Sequence, residues 1–288
     1  MAFYAQLFND AGPPLAPRAD PADTRPVLEL LIYLGAGCLA GLTAGLFGVG
    51  GGIVVVPVLL LVFAMLGFDP AVATHLAIGT SLATVVVTSV GSARSHYRLG
   101  AVDLPLFLRL GTGMAAGAIL GTVLAAYLDG AALQRLFGIF LLLVSLYMLS
   151  GWQPPRRGGG GGSGVLGGVG GGIGTLSAMV GVSGGTVTVP YLLWRGVPMH
   201  RAVGTASATA LPLGLTGALG YVLVGWGQPQ LPAGATGYIY WPAFAGIVAA
   251  SLLASSAAAR LAHRVPARRL RQVFAGVLLV IALRLLLT

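Results

Sequence analysis

The chain contains no lysine; its 16 basic residues are all arginine. A Walker A loop needs a lysine to reach the nucleotide phosphates, so P-loop chemistry is excluded despite abundant glycine. Carboxylates are scarce as well, seven in 288 residues. They lie in the N-terminal tail, near the ends of apolar segments or in connections. None pairs with a histidine at a useful spacing, and no metal-ligand spacing occurs. No catalytic residue, metal site or cofactor is therefore expected, and the chain does not read as an enzyme. Cysteine occurs once, at Cys38, which excludes an internal disulfide and a cysteine metal cluster. Charged residues make up 8% of the chain, against roughly 25% in soluble domains. That is too little polar surface for a soluble globule of this size.

What is present is apolar. Hydrophobic residues make up 56% of the chain, and the mean hydropathy is +0.90. Runs of about 20 apolar residues, the length of a membrane-spanning helix, recur from Val27 to the end. Ten segments can be drawn, at 27–47, 51–67, 71–92, 104–127, 133–150, 164–182, 185–194, 200–224, 238–260 and 270–287. The fold class is an all-α polytopic membrane protein with eight to ten membrane segments. Start signals mark several: Pro26 before the first, Asp69-Pro70 before the third, Asp103 with Pro105 at the fourth.

In a soluble protein the net charge of +9 would suggest nucleic acid. Here the arginines sit in short connections between apolar runs, so they orient the protein in a bilayer and no nucleic-acid partner is expected. Residues 1–26 are rich in Pro, Ala and Asp and lack the apolar core of a cleavable signal peptide. They read as a polar tail.

Two segments are unusual. The seventh offers nine apolar residues between Gly185 and Arg195, roughly 14 Å of helix, or half the hydrocarbon thickness. It reads as a half-helix or re-entrant arm. The second starts directly from a glycine cluster, "GLFGVGGGIVVVP" at 45–57.

The stretch 151–163, "GWQPPRRGGGGGS", is a linker near the middle of the chain, and the two flanking parts resemble each other. "GVGGGIVVVP" (48–57) aligns without a gap to "GVSGGTVTVP" (181–190), and "AIGTSLAT" (77–84) to "AVGTASAT" (202–209). "LQRLFGIFLLL" (133–143) resembles "LRQVFAGVLLV" (270–280). Residues 27–150 and 164–288 are thus two copies of a five-segment unit.

Five is odd, so the second copy enters the membrane inverted, the plan of many secondary transporters. If segments 1–2 and 6–7 form hairpins, one side receives connections 93–103, 151–163, 195–200 and 261–269, with their flanks. These carry Arg94, Arg98, Arg156, Arg157, Arg195 and Arg201, and further arginines from Arg260 to Arg269. The other side has Arg18, Arg25 and Arg135, with the acidic tail and the arginine-free connection 225–237. The positive-inside bias then places both termini outside the cell membrane, which in a two-membrane cell is the inner one.

"LLIYLGAGCLAG" (30–41) imitates a dinucleotide fingerprint at Gly35, Gly37 and Ala40, but the acidic residue expected some 20 positions on is missing. Those small residues read as close helix packing in lipid. The duplicated glycine motif demands more. In hydrocarbon every backbone N–H needs a partner, so a broken helix persists only where protein, water or ligand satisfies it. Helices starting at Gly51 and Gly184 would aim free N–H groups and about half a positive charge at the breaks, where an anion fits.

The remaining polar candidates are few. Thr80, Ser81, Thr205, Ser207 and Thr209 lie in apolar helices, where a hydroxyl bonds its own helix or faces a ligand. His75 reads as a cap or interface residue, or as a proton carrier. Arg94, His96 and Arg98 cluster at a helix end, as solvated orientation charges or as attractors of anions. Arg109 lies six residues past Asp103; it either snorkels or holds substrate inside the membrane.

The two glycine hairpins with their prolines, the paired "GTS" and "GTA" stretches and the duplication together resemble the sulfite exporter TauE/SafE family, from Val27 onward. The resemblance implies export of small sulfur oxyanions, such as sulfite, sulfoacetate or related organosulfonates, without an ATPase subunit. It maps the motif onto Gly48, Gly50, Gly51, Gly52 and Pro57 in the first copy. In the second copy the positions are Gly181, Gly184, Gly185 and Pro190, with Ser183 in place of Gly50 and Ala206 in place of Ser81. The expected substrate shell is the glycine backbone and Ser183, with Thr80, Ser81, Arg109, Thr205 and Ser207; Pro57 and Pro190 are structural or hinge residues. The expected partners are a small anion and the lipid bilayer. A coupling ion, H⁺ or Na⁺, and a homodimer stay open. A passive anion channel is the nearer alternative, and a membrane-embedded enzyme the more distant.

Overall fold

The computed structural model describes residues 21–47, 51–152, 163–262 and 267–287. Ten helices occur among them: α1 (Pro21–Phe47), α2 (Gly52–Met65), α3 (Pro70–Arg98), α4 (Leu104–Ala126), α5 (Gly130–Ser150), α6 (Ser163–Val180), α7 (Gly185–Trp194), α8 (Met199–Val224), α9 (Trp241–Ala262) and α10 (Ala267–Leu287). Each corresponds to one apolar segment. α1 begins ahead of the expected position, in the stretch read as a polar tail. Most of that tail and of the 151–163 linker, with Gly48 and Gly50, lies outside the described residues.

Local chemistry sets several helix starts. Asp69, Asp103 and Asp129 accept the backbone N–H groups of Ala71, Leu106 and Ala132 at 2.9, 3.1 and 2.6 Å. Each thereby satisfies one donor that the first turn leaves free. Three of the seven carboxylates are thus helix caps.

The connection before α9 is not wholly irregular. β1 (Ala235–Thr236) and β2 (Ile239–Tyr240) form a two-residue antiparallel ladder, Ala235 opposite Tyr240 and Thr236 opposite Ile239. Gly237, with φ +53°, makes the turn, so the chain is almost entirely rather than purely helical, and α9 starts at Trp241 rather than near 238.

α3, α4, α5 and α8 are long and apolar enough to cross a membrane. α7, at ten residues, reaches about 15 Å and cannot cross alone. Tryptophans 152, 194, 226 and 241 stand exposed at or beside helix ends, where amphipathic rings favour a membrane interface.

Helix packing respects the internal repeat. α1 packs on α9 and α6 on α4; α2 packs on α3 and α7 on α8; α3 faces α8, and α5 faces α10. Exchanging the two halves maps each of these contacts onto another of them, or onto itself. Small residues allow the closest approaches. A Cβ on Gly113, Gly117 or Gly121 of α4 would strike the carbonyls of Gly167, Gly171 and Thr175 on α6. Gly37 and Gly41 of α1 stand likewise against the Ile247 and Ser251 carbonyls of α9. Lipid tails are as apolar as leucine, so helices in a bilayer associate through such close packing rather than through apolar burial.

Candidate functional site

The two glycine motifs fall at helix breaks. α1 ends at Phe47 and α2 begins at Gly52; α6 ends at Val180 and α7 begins at Gly185. Gly181 and Gly184 bracket the second break with φ of +73° and +74°. This is the left-handed region, which glycine enters without steric cost.

The breaks touch each other. A Cβ on Gly52 would come within 2.6 Å of the Gly181 carbonyl and 3.2 Å of Val182 Cα. One on Gly181 would meet Val56 of α2 and Ile78 of α3. The Ser81 hydroxyl of α3 donates to the Gly181 carbonyl at 2.7 Å, fully buried. α4 closes the other side, with the Met114 methyl against Gly184.

Each short helix leaves backbone groups unpaired inside itself. In α7 the N–H groups of Val187 and Thr188 close on the Gly184 carbonyl at 3.1 and 2.9 Å, so the amides of Gly185 and Thr186 precede the first closed turn. α2 repeats this with Val54 and Val55 closing on Gly51. Pro57 and Pro190 occupy equivalent positions inside α2 and α7. Neither can donate to the carbonyl four residues back, at Ile53 or Thr186.

The repeated Gly-Thr dipeptide makes paired backbone contacts. The Thr80 hydroxyl oxygen accepts the Tyr240 N–H at 2.9 Å, and Gly79 leaves room for the Tyr238 carbonyl. In the second copy Thr205 accepts the Asp103 N–H at 3.0 Å, and Gly204 leaves room for the Ala101 carbonyl. Tyr240 and Asp103 each immediately precede a helix, α9 and α4. The pair is a clasp: glycine admits a carbonyl, and threonine holds the amide two residues on. Each clasp joins the third helix of one repeat to the fourth of the other. Arg201 adds a half-exposed ion pair to Asp103 at 3.9 Å.

Of the other expected residues, Ser183 and Ser207 are buried. Thr209 donates to the Ala206 carbonyl of its own helix at 2.9 Å, as Thr84 does to Ser81 at 2.7 Å. His75 Nε2 donates to the Ala125 carbonyl at 3.0 Å, and its ring stacks on Tyr238. It joins α3 to the end of α4. Arg94, Arg98 and Arg109 are exposed and His96 is half-buried. Arg109 lies five residues before Met114, or about 140° round the helix. It therefore points away from the face that meets Gly184, and the structure does not bring it to the breaks. Among the described residues no arginine, aspartate or glutamate is buried. The donors at the breaks are neutral.

Two residues there escaped the reading of the sequence. Thr186 and Thr188 of α7 carry hydroxyls without a hydrogen-bond partner, and Thr188 is 0% exposed. The signal was in the aligned motifs, where "TVT" replaces "IVV".

Residues 33–285 match the protein family described as sulfite exporter TauE/SafE. The chain is 32% identical over 261 residues to a "probable membrane transporter protein" of Haemophilus influenzae, covering 90% of this chain and 98% of the relative. It is 29% identical over 271 residues to a similarly named protein of Methanocaldococcus jannaschii, covering 91% and 96%. A third, from Xylella fastidiosa, is 29% identical over 69% of this chain and 78% of its own length. No solved structure matches the chain.

Proposed function

The chain belongs to the sulfite exporter TauE/SafE family, and from that premise we propose that it is a secondary transporter exporting small sulfur oxyanions: sulfite, sulfoacetate or related organosulfonates. That it is a membrane transporter follows from the family; the substrate and the alternating-access mechanism are our reading. One observation carries it: two broken helices, one from each repeat, meet at Gly52 and Gly181. Their first-turn amides offer an anion neutral donors where the bilayer offers none. A neutral site suits an exporter, because a fixed arginine clamp would hold the anion too tightly to release it.

The inverted arrangement of the repeats is the second part of the proposal. It is supported by the odd number of segments per repeat, the arginine distribution and the exchange pattern of the helix contacts. In such an arrangement the breaks meet near the bilayer centre, and access alternates as one repeat rocks against the other. The burial of Gly51, Gly52 and Gly181–Gly185 supports a closed, gated site over a standing pore.

Purified protein in liposomes tests the reading. Radiolabelled sulfite trapped inside should exchange with external sulfite in the absence of ATP, with saturation. Conductance without saturation would favour a channel, and no flux of sulfite or any organosulfonate would overturn the proposal.

A further inference from the structure

We infer that the α6–α7 hairpin, rather than its α1–α2 counterpart, recognises the anion, with the Thr188 hydroxyl as a direct donor to one of its oxygens. The inference rests on the proposed function and assigns specificity within the same site.

A threonine inside a helix ordinarily donates to a carbonyl three or four residues back. Thr84, Thr209 and Thr216 do so here, at 2.7–2.9 Å. Thr188 does not, although it is fully buried. The Gly184 carbonyl one turn behind is already taken by the N–H groups of Val187 and Thr188. A buried hydroxyl without a partner is costly, and an anion oxygen at the break would supply one.

The helix sets where the Thr188 side chain starts. Thr188 lies one turn past Gly184 on the same face, and a helical Cα–Cβ bond tilts toward the N-terminus. Its Cβ therefore leans back toward the break, where the amides of Gly185 and Thr186 have no intrahelical acceptor. Thr186, also partnerless, stands in the first turn. Ser177 Oγ would lie 3.3 Å from a Cβ on Gly184. These donors suit an anion with several oxygens.

The α1–α2 pair lacks these hydroxyls at the matching positions, although Ser81 of α3 lies beside Gly52. By the motif alignment Thr186 and Thr188 correspond to Ile53 and Val55, and Ser177 and Ser183 to Ala44 and Gly50. Ile53 and Val55 are as deeply buried as Thr188, so the polarity differs while the environment does not. α2 supplies backbone and an apolar wall; α7 supplies the hydroxyls.

The test uses full-length purified protein with sodium sulfite as the probe, read by thermal shift and by titration calorimetry. Thr188→Val should weaken sulfite binding about tenfold or more, the worth of a hydrogen bond to a charged group. Without sulfite, this variant should melt at or above the wild-type temperature, because it removes a partnerless buried hydroxyl. Thr188→Ser should keep most of the affinity. Thr216→Val, which removes a hydroxyl bonded to its own helix, should bind sulfite as the wild type does. A Thr188→Val protein that binds normally, or that melts lower without ligand, would overturn the assignment and leave the proposed function standing. Equal losses in Thr188→Val and Thr188→Ser would also overturn it, since side-chain shape rather than the hydroxyl would then matter. A wild type that binds neither sulfite nor an organosulfonate would overturn both.

Discussion

The Ser81 hydroxyl and the Gly181 carbonyl, 100 residues apart in sequence, lie 2.7 Å apart in the buried interior. This bond fastens the second helix break to the third helix of the first repeat. The equivalent position in the second repeat is Ala206, so the fastening exists once. Ser81→Ala should leave the Gly181 carbonyl buried without its donor, at about 1–3 kcal/mol. The expected result is a lower melting temperature in detergent and slower sulfite exchange.

The two clasps give a paired prediction. Thr80→Val and Thr205→Val preserve shape but strand the Tyr240 and Asp103 amides, and each should cost about 1–3 kcal/mol. Gly79→Ala and Gly204→Ala should cost more, because a Cβ would strike the Tyr238 or Ala101 carbonyl. Thermal unfolding measures all four. Sulfite affinity in the folded fraction should stay near wild type for the threonine variants, since their oxygens serve the loops rather than the breaks.

The glycines at the breaks should be separable from glycines that merely turn the chain. Gly184 combines φ +74° with close neighbours, and Gly52 has the Gly181 carbonyl in the path of any Cβ. Gly184→Ala and Gly52→Ala should each abolish sulfite exchange. Gly100 has a similar φ, +66°, but open space around it. Gly100→Ala should cost about 1 kcal/mol from backbone strain and leave exchange intact. Active Gly184→Ala and Gly52→Ala proteins would mean that the breaks serve packing alone.

Orientation can be read by labelling. In a Cys38→Ala background, Gln230→Cys in the connection before α9 should react with an impermeant thiol reagent on intact cells. His200→Cys, at the start of α8, should react only after the membrane is opened. Both side chains are exposed, so protection reports sidedness rather than burial. The opposite pattern would reverse the proposed topology.

Much of the architecture was legible along the chain because its causes are local. A bilayer demands a certain length of apolar residues, an aspartate before a helix caps its own first turn, and a repeat is visible by alignment. Those rules located all ten helices and placed the glycine motifs at breaks. The two-residue ladder escaped because it is shorter than any periodicity. What the tertiary structure decided are pairings between segments a hundred or more residues apart. Periodicity says which face of a helix is apolar, not which backbone will lie against it. Hence it is the structure that shows Thr80 and Thr205 accepting backbone amides of the loops before α9 and α4, and Arg109 exposed on α4. Hence also Thr188, unremarkable in a row of β-branched residues, stands out only once burial shows that its hydroxyl has no partner. Composition determined the solvent and the segments; three-dimensional contact decided which polar groups are already used and which remain free for a ligand.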